Sequence, residues 1–169
     1  MTIIIIFVIL FSIILLISKS CNYSFVSDTG KMYKARDQKT ADMLHFLQII
    51  SIKLSYDIYP EYGKILRLKL QNCSFIEIMN KDPKILGWNY DKGREIGLKM
   101  YDEKGSPLPT SDIIHTPFHE LAHSMTKEMH HPPGGEWENI NDYLQTFTSK
   151  YAKIYDLKIY FHQKHLRLI

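Results

Sequence analysis

The sequence predicts an α+β domain in which helices pack on a small sheet. Three observations carry that expectation: the apolar periodicity of residues 38–58, the strict alternation of 94–101, and a helical stretch after residue 110 that bears paired histidines. The 169-residue length allows one compact domain of ordinary size. A hydrophobic fraction of 45% with 23% charged residues excludes wholesale disorder. The net charge of +3 is too small to argue for a nucleic-acid-binding face.

Taken in order, residues 2–18 (TIIIIFVILFSIILLIS) contain no charge. As a helix they would extend roughly 25 Å against a hydrocarbon layer of about 30 Å, so residues 1–20 are expected to form a transmembrane anchor. Lys19, Lys31, Lys34 and Arg36 all follow this segment, and the positive-inside rule then places the remainder in the cytosol. Asn22 and Asn72 open glycosylation sequons, which matter only outside the cytosol. Residues 21–36 read as a linker, and 37–169 as the domain proper.

Met43, Leu47, Ile50 and Leu54 step by four, three and four, which predicts an amphipathic helix over 38–58 stopped by Tyr59-Pro60. A shorter helix is expected over 62–71. Residues 72–90 suit either strand or extended loop, with Phe75–Ile78 the strand candidate. In 94–101, Ile96, Leu98 and Met100 alternate with Glu95, Gly97 and Lys99 between two turn sequences, Asp91-Lys92-Gly93 and Asp102–Gly105. The next helix starts at Ser111-Asp112 or at Thr116-Pro117; the earlier start would leave Pro117 to kink it. A further helix is expected over Asp142–Tyr155. Cys21 and Cys73 are too few for a disulfide scaffold and fit no zinc knuckle.

The chemistry concentrates in His119-Glu120-Leu121-Ala122-His123. On a helix, residues i and i+4 share a face, so two imidazoles can reach one zinc ion at about 2.0–2.1 Å each. Glu120 points elsewhere and is free to serve as general base toward a zinc-activated water. Phe118, Leu121, Ala122 and Met125 supply an apolar stripe to bury. At this chain's His and Glu frequencies, roughly 0.02 such pentapeptides are expected by chance. The competing reading is a surface helix with two solvated histidines. Zinc is inferred over manganese or iron from ligand type.

A catalytic zinc needs a third protein ligand and an open position. The candidates are His130 and His131, just before Pro132-Pro133-Gly134-Gly135, and Glu138 and Asp142 beyond it. The implied activity is peptide-bond hydrolysis on a protein or peptide substrate, which would lie along the 94–101 strand by edge addition. Tyr143 is a candidate oxyanion donor. The alternative is an inactive membrane-tethered zinc-binding or scaffold protein, whose structural metal would need a fourth protein ligand such as His130 or Glu138.

The stretch from Asn89 to Leu144, with its strand, its HELAH helix, the later His131 and the Glu136-Trp137-Glu138-Asn139 sequence, resembles the short zinc metallopeptidases of large DNA viruses, which are similar to the WLM and SprT-like families. The resemblance covers roughly residues 36–145. It implies a minimal zincin-like fold, peptidase activity, a virus-encoded origin and His131 as the third zinc ligand. Pro117 departs from the family's usual uninterrupted helix.

Overall fold

The structure is a computed structural model and describes residues 24–27, 30–80, 82–128 and 131–156. The expected anchor over residues 2–18 lies outside the described residues, and among the latter no helix is long and apolar enough to cross a membrane. The architecture is α+β.

The chain opens with an antiparallel hairpin, β1 (Ser24–Val26) and β2 (Met32–Lys34), inside the stretch expected to be a linker. Tyr33 is the reason. Its side chain is buried between exposed Met32 and Lys34, and its hydroxyl donates to Gln48 Oε1 at 2.7 Å. A strand with one inward residue is too short to show alternation, so composition alone reads as linker.

Helix α1 (Gln38–Asp57) begins where Asp37 Oδ1 accepts the Thr40 N–H at 2.8 Å, an N-cap that satisfies an otherwise unpaired donor. Its apolar face, including Leu44, Leu47 and Leu54, is buried, as the periodicity predicts. Helix α2 (Pro60–Gln71) starts two residues before the expected position because Pro60 occupies the first turn, where a missing N–H costs nothing. The two helices cross closely at Gly63, where a Cβ would meet the Ser55 carbonyl oxygen at 2.2 Å.

Three strands form the sheet, in the order β3 (Ser74–Glu77), β5 (Glu95–Leu98), β4 (Gly87–Tyr90). β3 runs parallel to β5 and β4 antiparallel to it. β5 is shorter than the expected 94–101, although the Lys99 N–H still donates to the Leu86 carbonyl at 2.8 Å. The ambiguous 72–90 stretch therefore resolves into two strands separated by a loop. β5 lies at the centre, so the expectation that it offers an edge to substrate is corrected: both its sides are already paired.

Helix α3 (Thr110–Met125) starts directly after Pro109 and takes Pro117 into its interior. Pro117 is buried and the helix continues through it, losing only the bond its absent N–H would have given the Ile113 carbonyl. Helix α4 (Glu136–Gln145) and a helical segment over 148–156 (α5) replace the expected single helix over Asp142–Tyr155; a turn at Thr146-Phe147 separates them. The core gathers Leu44, Leu66, Phe75, Ile96, Ile114 and Phe118 from helices and sheet alike. One face of α3 is thereby fixed against the sheet, and its other side carries the histidines.

Candidate metal centre

Phe118 and Ala122 are fully buried, with Leu121 and Met125 nearly so, which locks the rotation of α3 about its axis. That rotation sends His119 and His123 to the half-buried flank, one turn apart, with ring centroids 5.1 Å from each other. His131, arriving after α3 has ended, closes on the pair: its Nε2 lies 2.9 Å from His123 Nε2, and its ring centroid 5.5 Å from that of His119. One nitrogen from each of the three lies within 4.8 Å of the others. A tetrahedral ion bound at 2.0–2.1 Å would hold such nitrogens about 3.3 Å apart. The three imidazoles fit a zinc-sized cation after small adjustments.

Their electrostatics agree. Burial, then the neighbouring His131 and His115, pushes His119 down to about 4. Burial, then His119, His131 and Lys92, does the same to His123, also to about 4. Both rings are thus neutral near pH 7, and neutral imidazole is the ligating form. Among the described residues no fourth His, Cys, Asp or Glu joins the three.

Trp137, at the start of α4, walls the cluster. It is buried, and its ring stacks on His131 with centroids 3.8 Å apart and planes 15° from parallel; the His119 and His123 rings both lie 5.0 Å away. A stacked indole fixes the plane of the imidazole and shields one side of it from water.

Glu120 faces the sheet instead. It is 6% exposed, and burial raises its carboxyl to about 7. β4 is what covers it. A Cβ on Gly87 would stand 2.5 Å from Thr116 Cγ2 and 3.0 Å from Glu120 Oε1, so only glycine lets the strand pass this close to the helix. Asn89 fastens the contact: its Nδ2 donates to the Glu120 carbonyl at 2.5 Å and to Ser124 Oγ at 2.7 Å, while its Oδ1 accepts the Gly93 N–H at 2.8 Å. A cavity of about 370 Å³ opens between β4 and α3, reached by Trp88, Lys92, Glu120 and His123.

The remaining described sequence candidates are not part of the cluster. The Glu138 carboxylate accepts the Gly134 N–H at the loop before α4 and does not join the three histidines. Asp142 is exposed, and its carboxylate accepts a long bond from Asn141 Nδ2 at 3.4 Å. His130 lies outside the described residues. The Tyr143 hydroxyl accepts the Tyr59 N–H at 3.2 Å and its ring stacks on Tyr59, so this side chain joins α4 to the α1–α2 corner. Sequence reasoning missed Gly87, Asn89, Lys92 and Glu128. Of these only Gly87 left a signal, a glycine within an aromatic-rich run.

No family model matches the chain, and no curated protein sequence matches it. Among solved structures it is similar to the crystal structure of Wss1 from Saccharomyces cerevisiae, with 23% identity and a TM-score of 0.41 over 55% of this chain and 75% of that one. A Wss1 mutant from the same organism gives 18% identity and a TM-score of 0.38, over 53% of this chain and 77% of that one.

Proposed function

We propose that the chain is a zinc-dependent peptidase of minimal zincin-like architecture. The observation that carries this reading is the convergence of three imidazole nitrogens within 4.8 Å, beside a buried carboxyl held at about 7. His119, His123 and His131 would hold the ion, which supplies Lewis-acid polarisation of a carbonyl and acidification of water. Glu120 accepts the proton of the attacking water and returns it to the leaving amine. A group whose affinity for protons lies near neutrality suits both halves of that task.

β4 takes the substrate-side role first expected of β5. It is an edge strand, and among the described residues nothing pairs on its outer side. Because the Leu86 carbonyl is spent on Lys99, the alternation of an antiparallel ladder turns the backbone groups of Gly87 and Asn89 away from β5. An extended peptide could pair there, alongside Glu120.

Glu120→Gln is the direct test. The variant should retain zinc at one equivalent and lose hydrolysis of an unstructured protein such as casein by about 10²–10⁴-fold. Hydrolysis at the wild-type rate would overturn the assignment. Membrane anchoring through residues 2–18, with the domain on the cytosolic side, belongs to the same proposal on the strength of that uncharged run and the cations after it. Recovery of the chain in the soluble fraction after cell lysis, with its N-terminus intact, would remove the anchor.

A further inference from the structure

His131 differs from its two partners in what holds it. It is exposed, belongs to no helix or strand, and is followed by Pro132-Pro133-Gly134-Gly135. Besides its contact with His123, the His131 ring is held by the stack on Trp137, so its position depends on where α4 begins. That beginning has an unusual cap. The N-cap residue is Gly135, which has no side chain to accept the first free N–H groups. Glu128 does so from outside the helix: its Oε1 accepts the Glu136 N–H at 3.1 Å and its Oε2 the Trp137 N–H at 2.7 Å. A carboxylate at the positive end of a helix is favourably placed on charge as well as hydrogen bonding.

The other end of Glu128 is also tied. Its backbone carbonyl accepts Lys92 Nζ at 2.9 Å, and the same ammonium lies 3.5 Å from the His123 carbonyl at the end of α3. Glu128 thus joins the terminus of the helix that carries two of the histidines to the first turn of the helix that orients the third. The intervening chain, which bears His131, has both its ends fixed by this one residue.

We propose that Glu128 is the positioning residue for the third metal ligand: its carboxylate seats the start of α4, and through Trp137 fixes the His131 ring in the plane from which it can ligate. The inference rests on the three-histidine reading of the centre. It differs from ordinary helix capping in one consequence, that Glu128 acts on metal affinity only through His131.

The test measures zinc affinity by chelator competition on the full chain in detergent, for wild type, Glu128→Gln, His131→Ala and the double variant. Cobalt(II) absorption follows the donor set in parallel. Glutamine replaces one of the two accepting oxygens by an NH2 donor, which would face an N–H group. Glu128→Gln should weaken zinc binding about 10–100-fold, the range for residues that orient ligands, and shift the cobalt bands toward those of His131→Ala. In the His131→Ala background it should add no further loss. Equal losses in both backgrounds, or wild-type affinity in Glu128→Gln, would overturn the proposal. Absence of zinc binding in wild type would instead defeat the three-histidine reading.

If Glu128→Gln does not fold, amide exchange of the wild-type chain puts the same question. Zinc should slow exchange at Glu136 and Trp137, because coupling between ligand closure and the cap is reciprocal. Unchanged exchange there on zinc loading would refute it.

Discussion

Two segments only eight residues apart meet at the centre, and they are held by different physics. His119 and His123 stand on a helix whose opposite face is sunk in the core through Phe118, Leu121 and Ala122. His131 stands on an exposed stretch, where its ring packs on the indole of Trp137, a residue whose backbone N–H is bound by the Glu128 carboxylate. A helix with a buried face sets two imidazoles side by side ready-made. The third has to be brought by a loop, and a loop is positioned only by what it is tied to.

The sharpest way to break this contrast is to remove one histidine from each segment. His123→Ala should abolish zinc binding and hydrolysis together, since it leaves one helical donor. His131→Ala should leave weak binding through the helical pair while hydrolysis is lost. Equilibrium dialysis with metal analysis checks both, and equal losses of affinity would show that the two segments are not distinct in kind.

The contact between helix and sheet can be strained without touching a ligand. Gly87→Ala places a methyl against Thr116 and the Glu120 carboxyl. Overpacking of this kind costs about 1–3 kcal/mol. Its displacement of β4 should reduce hydrolysis while zinc affinity stays near wild type. A melting curve, a zinc titration and a casein assay together check this, and unchanged activity would mean that β4 does not help form the substrate side.

The smallest expected effect is on pH dependence of the metal-free chain. Burial holds Glu120 at about 7 against an ordinary 4.5, so across that window the folded state keeps a proton that the unfolded state has lost. Stability contributed by Glu120 therefore falls as pH rises through it. His119 and His123 act oppositely. They are lowered from 6.5 to about 4, so between those values the folded state lacks protons that the unfolded state carries, and their contribution grows with pH. Glu120→Gln removes the falling component. From about pH 5 to about pH 6.5, Tm should rise more steeply in that variant than in wild type. Parallel curves would show that the Glu120 carboxyl is not desolvated.

What could be read from the chain before its structure follows the same division. The α1 face was legible because Met43, Leu47, Ile50 and Leu54 repeat at helical spacing, and all four are buried. His119, Glu120 and His123 were legible because helical spacing alone sets their directions. β1 and β2 were not, being three residues each. β4 was not, since the side chains of Gly87-Trp88-Asn89-Tyr90 follow the needs of α3 and leave no alternation to read. His131 stood among four candidates on spacing alone, and only the resemblance singled it out. The Glu128 hydrogen bonds to α4, the Trp137 stack and the Glu138–Gly134 hydrogen bond are tertiary facts, without a periodic signature in sequence.

X-ray absorption at the zinc edge tests the central claim most directly. The zinc-loaded wild-type chain should show three imidazole nitrogens at about 2.0–2.1 Å with one light non-protein donor, and His131→Ala should show two. A carboxylate in place of the third imidazole, a fourth protein donor, or a spectrum unchanged by His131→Ala would contradict the account.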